Sequence, residues 1–193
     1  GLGTALIQKK DADDLDFSTV FYFNFTVCIV LYFGMFFLAP YIASFYNKSS
    51  LTSVIRVLSL TIVISGLKGI QQAYVSKHML FKRFFFSTIG GTIFSAFLGI
   101  SMAYAGLGVW ALVVQQISNT TIDTLILWIT VKWRPKKQFS LERLKTLYTF
   151  GWKMLVSSLL ETAYNNLRNL IIGKMYSSTD LAFYNQGDKF PNV

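Results

Sequence analysis

The sequence predicts an all-α fold, a polytopic transmembrane helix bundle. Three observations predict it. Only 14% of the residues are charged and 53% are hydrophobic, whereas a soluble domain is typically about 25% charged. The charges are also segregated: none falls between Phe17 and Asn47, and Asp123 is the only one between Phe84 and Val131. Apolar runs of that length read as membrane spans, because a helix must cover the hydrocarbon core with side chains that lipid tolerates. Finally, the basic residues collect in the short connections between the runs, where membrane topology needs them.

The elements follow in order. The chain opens on the loop-like Gly1-Leu2-Gly3, with neither an initiator Met nor a signal peptide, and it ends without a polar tail. We expect a fragment cut at both ends. The first span is Thr19 to Ala43, aromatic and uncharged, with Pro40 near its exit. A polar turn at Tyr46 to Ser50 leads to a second span, Leu51 to Tyr74, which carries Arg56 and Lys68. Phe84 to Tyr104 and Val109 to Val131 form a helical hairpin about Gly106-Leu107-Gly108, glycine suiting a reversal at a helix C-terminus. Gly90, Gly91 and Gly99 allow close approach of a neighbouring helix. Trp133-Arg134-Pro135 stops the fourth span.

Residues 132–149 are expected to be a cytoplasmic basic linker. Ser140 reads as the N-cap of a short interfacial helix with Leu141, Leu144 and Leu147 on one face. Lys136, Lys137, Arg143 and Lys145 are placed to meet anionic headgroups. A fifth span, Phe150 to Gly173, opens a second bundle that occupies residues 150–193, and residues 1–131 belong to the first bundle. Lys174 to Phe190 reads as a loop entering a further span.

Alternating sides put eleven basic residues, from Lys9 to Lys145, on one face of the membrane and three (Lys48, Lys174, Lys189) on the other. The positive-inside rule makes the rich side cytoplasmic. Trp110, Trp128, Trp133 and Trp152 fall at the ends of spans, as interfacial tryptophans do. The net charge of +9 is thus a topology signal, and no nucleic-acid partner is expected. The lone Cys28 sits in an apolar run and can form neither an internal disulfide nor a multi-cysteine metal site.

No catalytic constellation is present: there is no Gly-rich phosphate loop, HExxH, CxxC or GxSxG. We expect no enzyme, no cofactor and no metal. His78 reads as a solvated loop residue. The informative residues are polar groups within the spans, since ionisable groups at membrane depth are costly and face a bundle interior or a watery cavity. Glu161, Tyr164, Asn165 and Arg168 recur at helical intervals and share a face. Glu161 lies about 16 Å into the fifth span at the helical rise, near the midplane, while Arg168 is close enough to the outer end to snorkel. The fourth span presents Gln116, Asn119 or Thr120, and Asp123; the second presents Thr61, Ser65, Lys68 and Gln72. These stripes either hold helices together by hydrogen bonds or line a hydrated cavity for a polar or anionic cargo. The candidate cavity residues are Arg168, Glu161, Asn165, Lys68 and Asp123.

Several blocks resemble a known family. Gly1 to Lys10 is similar to the loop after the second helix of the polysaccharide-biosynthesis, or Wzx-like, oligosaccharide flippases. So are Gly106-Leu107-Gly108-Val109-Trp110-Ala111-Leu112-Val113 with the later Trp133-Arg134-Pro135. Asn169 to Lys174 followed by Asp180 to Asn185 resembles the end of their seventh helix. The order and spacing match across essentially the whole chain. The resemblance implies the multidrug/oligosaccharidyl-lipid/polysaccharide exporter superfamily: two pseudo-symmetric bundles, about 12–14 helices in all, around a central cavity with alternating access. The four spans before the linker would then be helices three to six. It further implies a bacterial inner-membrane transporter of an undecaprenyl-pyrophosphate-linked oligosaccharide, serving O-antigen, capsule or exopolysaccharide synthesis. The lipid bilayer and the lipid-linked oligosaccharide would be its partners, with an H+ or Na+ gradient as the candidate drive. Cavity lysines and arginines suit the pyrophosphate. The alternative within the superfamily is a drug or small-molecule cation antiporter, for which Glu161 and Asp123 would be the acidic residues. A glycan polymerase would call for large outer loops, and the turns at Tyr46 to Ser50 and Ala105 to Gly108 are short.

Overall fold

The computed structural model describes residues 2–175, Tyr184 and Gly187; the side chains of residues 150, 165, 168–170 and 172–174 lie outside that description. The described residues form helices and no strands. In order they are α1 (Leu2–Gln8), α2 (Asp14–Phe45), α3 (Leu51–Leu58), α4 (Leu60–Lys77), α5 (Phe81–Tyr104), α6 (Val109–Thr130) and α7 (Leu141–Met175). The chain divides into two compact units, Leu2–Thr149 and Phe150–Val193, Gly1 grouping with the latter. The expected loop from Lys174 to Phe190 lies outside the described residues apart from Lys174, Met175, Tyr184 and Gly187.

Three helical segments are long and apolar enough to cross a membrane: Asp14–Phe45, Leu51–Lys77 and Phe81–Tyr104. The first starts five residues earlier than its hydropathy suggests. Asp13 is an N-cap: its carboxylate accepts from the Asp16 N–H at 2.9 Å, while the Asp16 carboxylate accepts from the Asp13 N–H at 3.2 Å. This reciprocal capping box satisfies two amides and carries the helix through an acidic stretch that lipid alone would exclude. The Asp16 N–H bond chiefly holds the Asp13 carboxyl below the usual carboxylate range, with nearby Arg143 adding to the effect. Because that pKa is lowered, the cap contributes at neutral pH and is lost as pH falls through it. Pro40 remains inside the helix.

The second expected span is two helices separated by Ser59. The Ser59 hydroxyl donates back to the Ile55 carbonyl at 2.6 Å and Thr61 to the Leu58 carbonyl at 2.6 Å. Hydroxyls that back-bond within a turn compete with the backbone ladder, which accounts for the break. Arg56 does not stand alone in the apolar segment: its guanidinium lies 4.3 Å from the Phe36 ring centroid and donates to the Phe36 carbonyl at 3.3 Å.

The chain start also departs from its loop-like reading. Leu2–Gln8 is helical because Ala5 and Leu6 are buried beside α4, and that burial outweighs the glycines. The fifth span and the short helix before it form one continuous helix of 35 residues, α7. Ser140 does begin it, its hydroxyl accepting from the Arg143 N–H at 3.4 Å. No proline interrupts Leu141–Met175, and Gly151 is tolerated inside the helix. Neither α6 nor α7 is among the helices that combine the length and unbroken apolar stretch of those three. In α6 the cause is its polar run Gln115 to Asp123.

The α5–α6 hairpin turns through Gly106 and Gly108, whose φ values of +76° and +53° favour glycine. Above the turn the helices close on glycine. A Cβ at Gly91 would lie 2.8 Å from Asn119 Oδ1, 3.0 Å from the Asn119 carbonyl and 3.2 Å from the Asp123 Cβ. The carbonyl cannot swing aside as a side chain does, so the helices must part. Gly91→Val is expected to destabilise the protein by about 1–3 kcal/mol, the usual scale of overpacking. The measurement is the midpoint of thermal aggregation in detergent, and an unchanged midpoint would remove this contact from the account.

Candidate functional site

Two charges singled out in separate apolar runs meet inside the first unit. Lys68 Nζ on α4 donates to Asp123 Oδ2 on α6 at 2.7 Å. Their side chains are 20% and 10% exposed. The second carboxylate oxygen, Oδ1, is buried without a hydrogen-bond partner. Counted along the helices at the usual rise, Lys68 is about 14 Å from the Lys77 end of α4 and Asp123 about 11 Å from the Thr130 end of α6. At that distance from the helix ends each charge is the other's natural partner, and only the longer lysine side chain can lean toward an end. Uncharged polar bonds hold the helices here. Trp128 Nε1 on α6 donates to the Leu67 carbonyl at 3.2 Å, and Asn24 Nδ2 on α2 donates to the Gly66 carbonyl at 3.4 Å. A pair buried between apolar helices neutralises two charges that an apolar setting would reject singly, and its unpaired acceptor leaves capacity for one more donor.

The rest of the α4 and α6 stripes is less enclosed. Thr61, Lys68 and Gln72 are half-buried and Ser65 is exposed; Asn119 and Thr120 are half-buried and Gln116 is exposed. In the second unit, Glu161 and Tyr164 on α7 are exposed, and the side chains of Asn165 and Arg168 lie outside the described residues. Among the described residues no group of acidic, histidine and cysteine side chains could hold a metal ion. His78 caps α4 with its ring stacked 4.1 Å from that of Tyr74 and its Nδ1 2.9 Å from the Tyr74 carbonyl.

A second polar centre, absent from the sequence reading, gathers at the head of α2. Asp16 is fully buried. Its carboxylate accepts from Lys9 Nζ at 2.5 Å and faces the Arg143 guanidinium at 3.4 Å. Asp13 lies 3.5 Å from Arg143, and Asp14 pairs with Lys136 at 2.7 Å and accepts from Trp133 Nε1 at 3.1 Å. Lys77 donates to the Lys9 carbonyl. Basic residues from three connections thus converge on one end of the unit. Lys136 and Arg143, expected to meet lipid headgroups, also pair with Asp14, Asp13 and Asp16 at the head of α2, and both stay partly exposed. Of the linker's apolar face only Leu147 enters the bundle core, beside Phe17 and Trp133, while Leu144 is half-buried and Leu141 exposed. The signal was in the sequence: four of the chain's nine acidic residues lie between Asp11 and Asp16.

A set of apolar helices with a charge pair between them and a basic end defines a multi-pass membrane protein. The family model described as "Polysaccharide biosynthesis protein" matches residues 1–193, and the chain belongs to that family. It is 29% identical to the teichuronic acid biosynthesis protein TuaB of Bacillus subtilis, over 96% of this chain and 39% of the relative. It is 20% identical to the succinoglycan biosynthesis transport protein ExoT of Rhizobium meliloti, over 100% of this chain and 39% of the relative. It is 24% identical to the lipopolysaccharide biosynthesis protein WzxC of Escherichia coli, over 96% of this chain and 38% of the relative. The chain therefore spans about two fifths of the length of these curated relatives. No solved structure matches it.

Proposed function

We propose that this chain is part of a flippase that carries an undecaprenyl-pyrophosphate-linked oligosaccharide across the bacterial inner membrane by alternating access. The observation that carries the reading is the family match over the whole chain, together with the likeness to a protein named for succinoglycan transport. The Lys68–Asp123 pair supports it, since charged residues at membrane depth mark transport paths. In this reading α6 and the later part of α7 also cross the bilayer, and the convergent basic end of the first unit is cytoplasmic. Lys68 and Asp123 face the cavity from the first bundle. Glu161, Asn165 and Arg168 are the second bundle's candidates for contact with the cargo, where Arg168 suits a pyrophosphate. The bilayer and the lipid-linked oligosaccharide are the partners.

The test is deletion of the full-length gene in its own host. Surface polysaccharide should be lost and lipid-linked oligosaccharide should accumulate on the inner leaflet, both reversed by the wild-type gene. Normal surface polysaccharide, with a changed resistance to organic cations instead, would replace the flippase with a small-molecule antiporter.

A further inference from the structure

We propose that residues 132–147 are a fixed part of the first helical unit, latched to the head of α2 by Asp16, and that they keep this position throughout the transport cycle. The inference rests on the flippase reading only for the existence of a cycle; the latch itself is visible in the unit.

Three layers of contact hold the segment. The first is ionic: the buried Asp16 carboxylate is shared between Lys9, which precedes α2, and Arg143, which follows the linker's extended part. Lifting the linker would leave a fully buried carboxylate with half its cationic partners. The second layer is the backbone. An extended segment has no ladder of its own, so its amides need outside acceptors. The Lys136 N–H donates to Ser18 Oγ at 3.0 Å and the Ser140 N–H to Thr19 Oγ1 at 3.1 Å, and both hydroxyls are fully buried. The third layer is apolar. Trp133 and Leu147 bracket the segment and are both buried in the core that holds Phe17 and Val20. Gln71 adds an interior bond, donating to the Trp133 carbonyl at 3.2 Å.

A gate needs two arrangements in which its polar groups are satisfied. The groups beneath this segment are satisfied with it in place. Ser18, Thr19 and Asp16 point their oxygens at linker donors, and the same turn carries Phe17, whose ring needs Trp133 to stay dry. Opening would expose all of them together. The segment is therefore built as a strap across the bundle head, and any rearrangement of the cycle leaves residues 132–147 in place.

The test uses the full-length protein with Cys28→Ala, Thr19→Cys and Ser140→Cys, produced in cells lacking the native gene. Oxidation should bridge the pair, as followed by mass, and surface polysaccharide export should stay at the reduced protein's level. Failure of the bridge to form, or a several-fold drop in export that reduction reverses, would overturn the strap and leave the flippase standing. If neither this protein nor the wild type exports glycan, the flippase reading fails, and the latch is judged by proteolysis. In the purified protein, Asp16→Asn should speed tryptic cleavage after Lys136 and Lys137 about tenfold, because loss of one partner from a buried ion network frees the segment. Cleavage at the wild-type rate would dispose of Asp16 as the latch.

Discussion

Lys68→Ala is expected to cost more stability than Asp123→Ala, and the double apolar variant Lys68→Met with Asp123→Leu is expected to recover most of either loss. Removing one partner of a buried pair typically costs about 3–5 kcal/mol, because the survivor is stranded, whereas replacing both by apolar groups is often neutral or stabilising. The asymmetry follows from side-chain length. A lysine without its acid can extend its stem toward water. An aspartate cannot, and Asp123 already has one buried oxygen without a partner. Thermal unfolding in detergent reads the stability order, and export in cells reads the function. If the pair serves transport, the apolar double variant should be stable and yet export little glycan. Export at the wild-type level by that variant would reduce the pair to a packing device. Equal destabilisation by the two single variants would contradict the argument from reach.

The contrast between what hydropathy reveals and what it hides is well illustrated by these residues. Lys68 and Asp123 were each legible as lone charges in apolar runs, because a run of that kind makes any charge conspicuous. Their pairing was not legible, since 55 residues separate them and no local rule links positions on two helices. The α5–α6 hairpin was readable almost to the residue, from two glycines between long apolar segments. The break at Ser59 was not, because serine and threonine hydroxyls interrupt a helix only in particular rotamers. Hydropathy hides the acidic head of α2 for a different reason. Charged flanks carry no apolar signal, yet Asp13-x-x-Asp16 before Phe17 is the spacing of a capping box. Read that way, it announces both the start of the helix and a site for basic residues from the linker. Tertiary burial also overrode local signals at α1, where the sequence offered two glycines and the fold offered Leu6 a dry place.

Trp133→Ala should be among the most damaging single changes in the first unit. The residue is 7% exposed. Its ring lies 5.7 Å from that of Phe17 and 5.9 Å from that of Tyr74, so one side chain joins the linker, α2 and α4. Truncating a buried tryptophan typically costs about 3–5 kcal/mol, through lost transfer energy and the cavity left behind. The site cannot collapse easily, because Phe17 and Tyr74 are already in edge-on contact at 5.5 Å and belong to rigid helices. Trp133→Phe separates the ring from its polar edge. It keeps most of the apolar area and loses the Nε1–Asp14 bond, whose acceptor side chain is 47% exposed and can turn to water instead. That variant should lose about 1 kcal/mol or less, the net value of one hydrogen bond. Melting in detergent should therefore place Phe close to wild type and Ala far below it, with the linker's tryptic sites opened in Ala alone. Should Phe prove as damaging as Ala, the bond to Asp14 would be the anchor of the linker and the ring only its support.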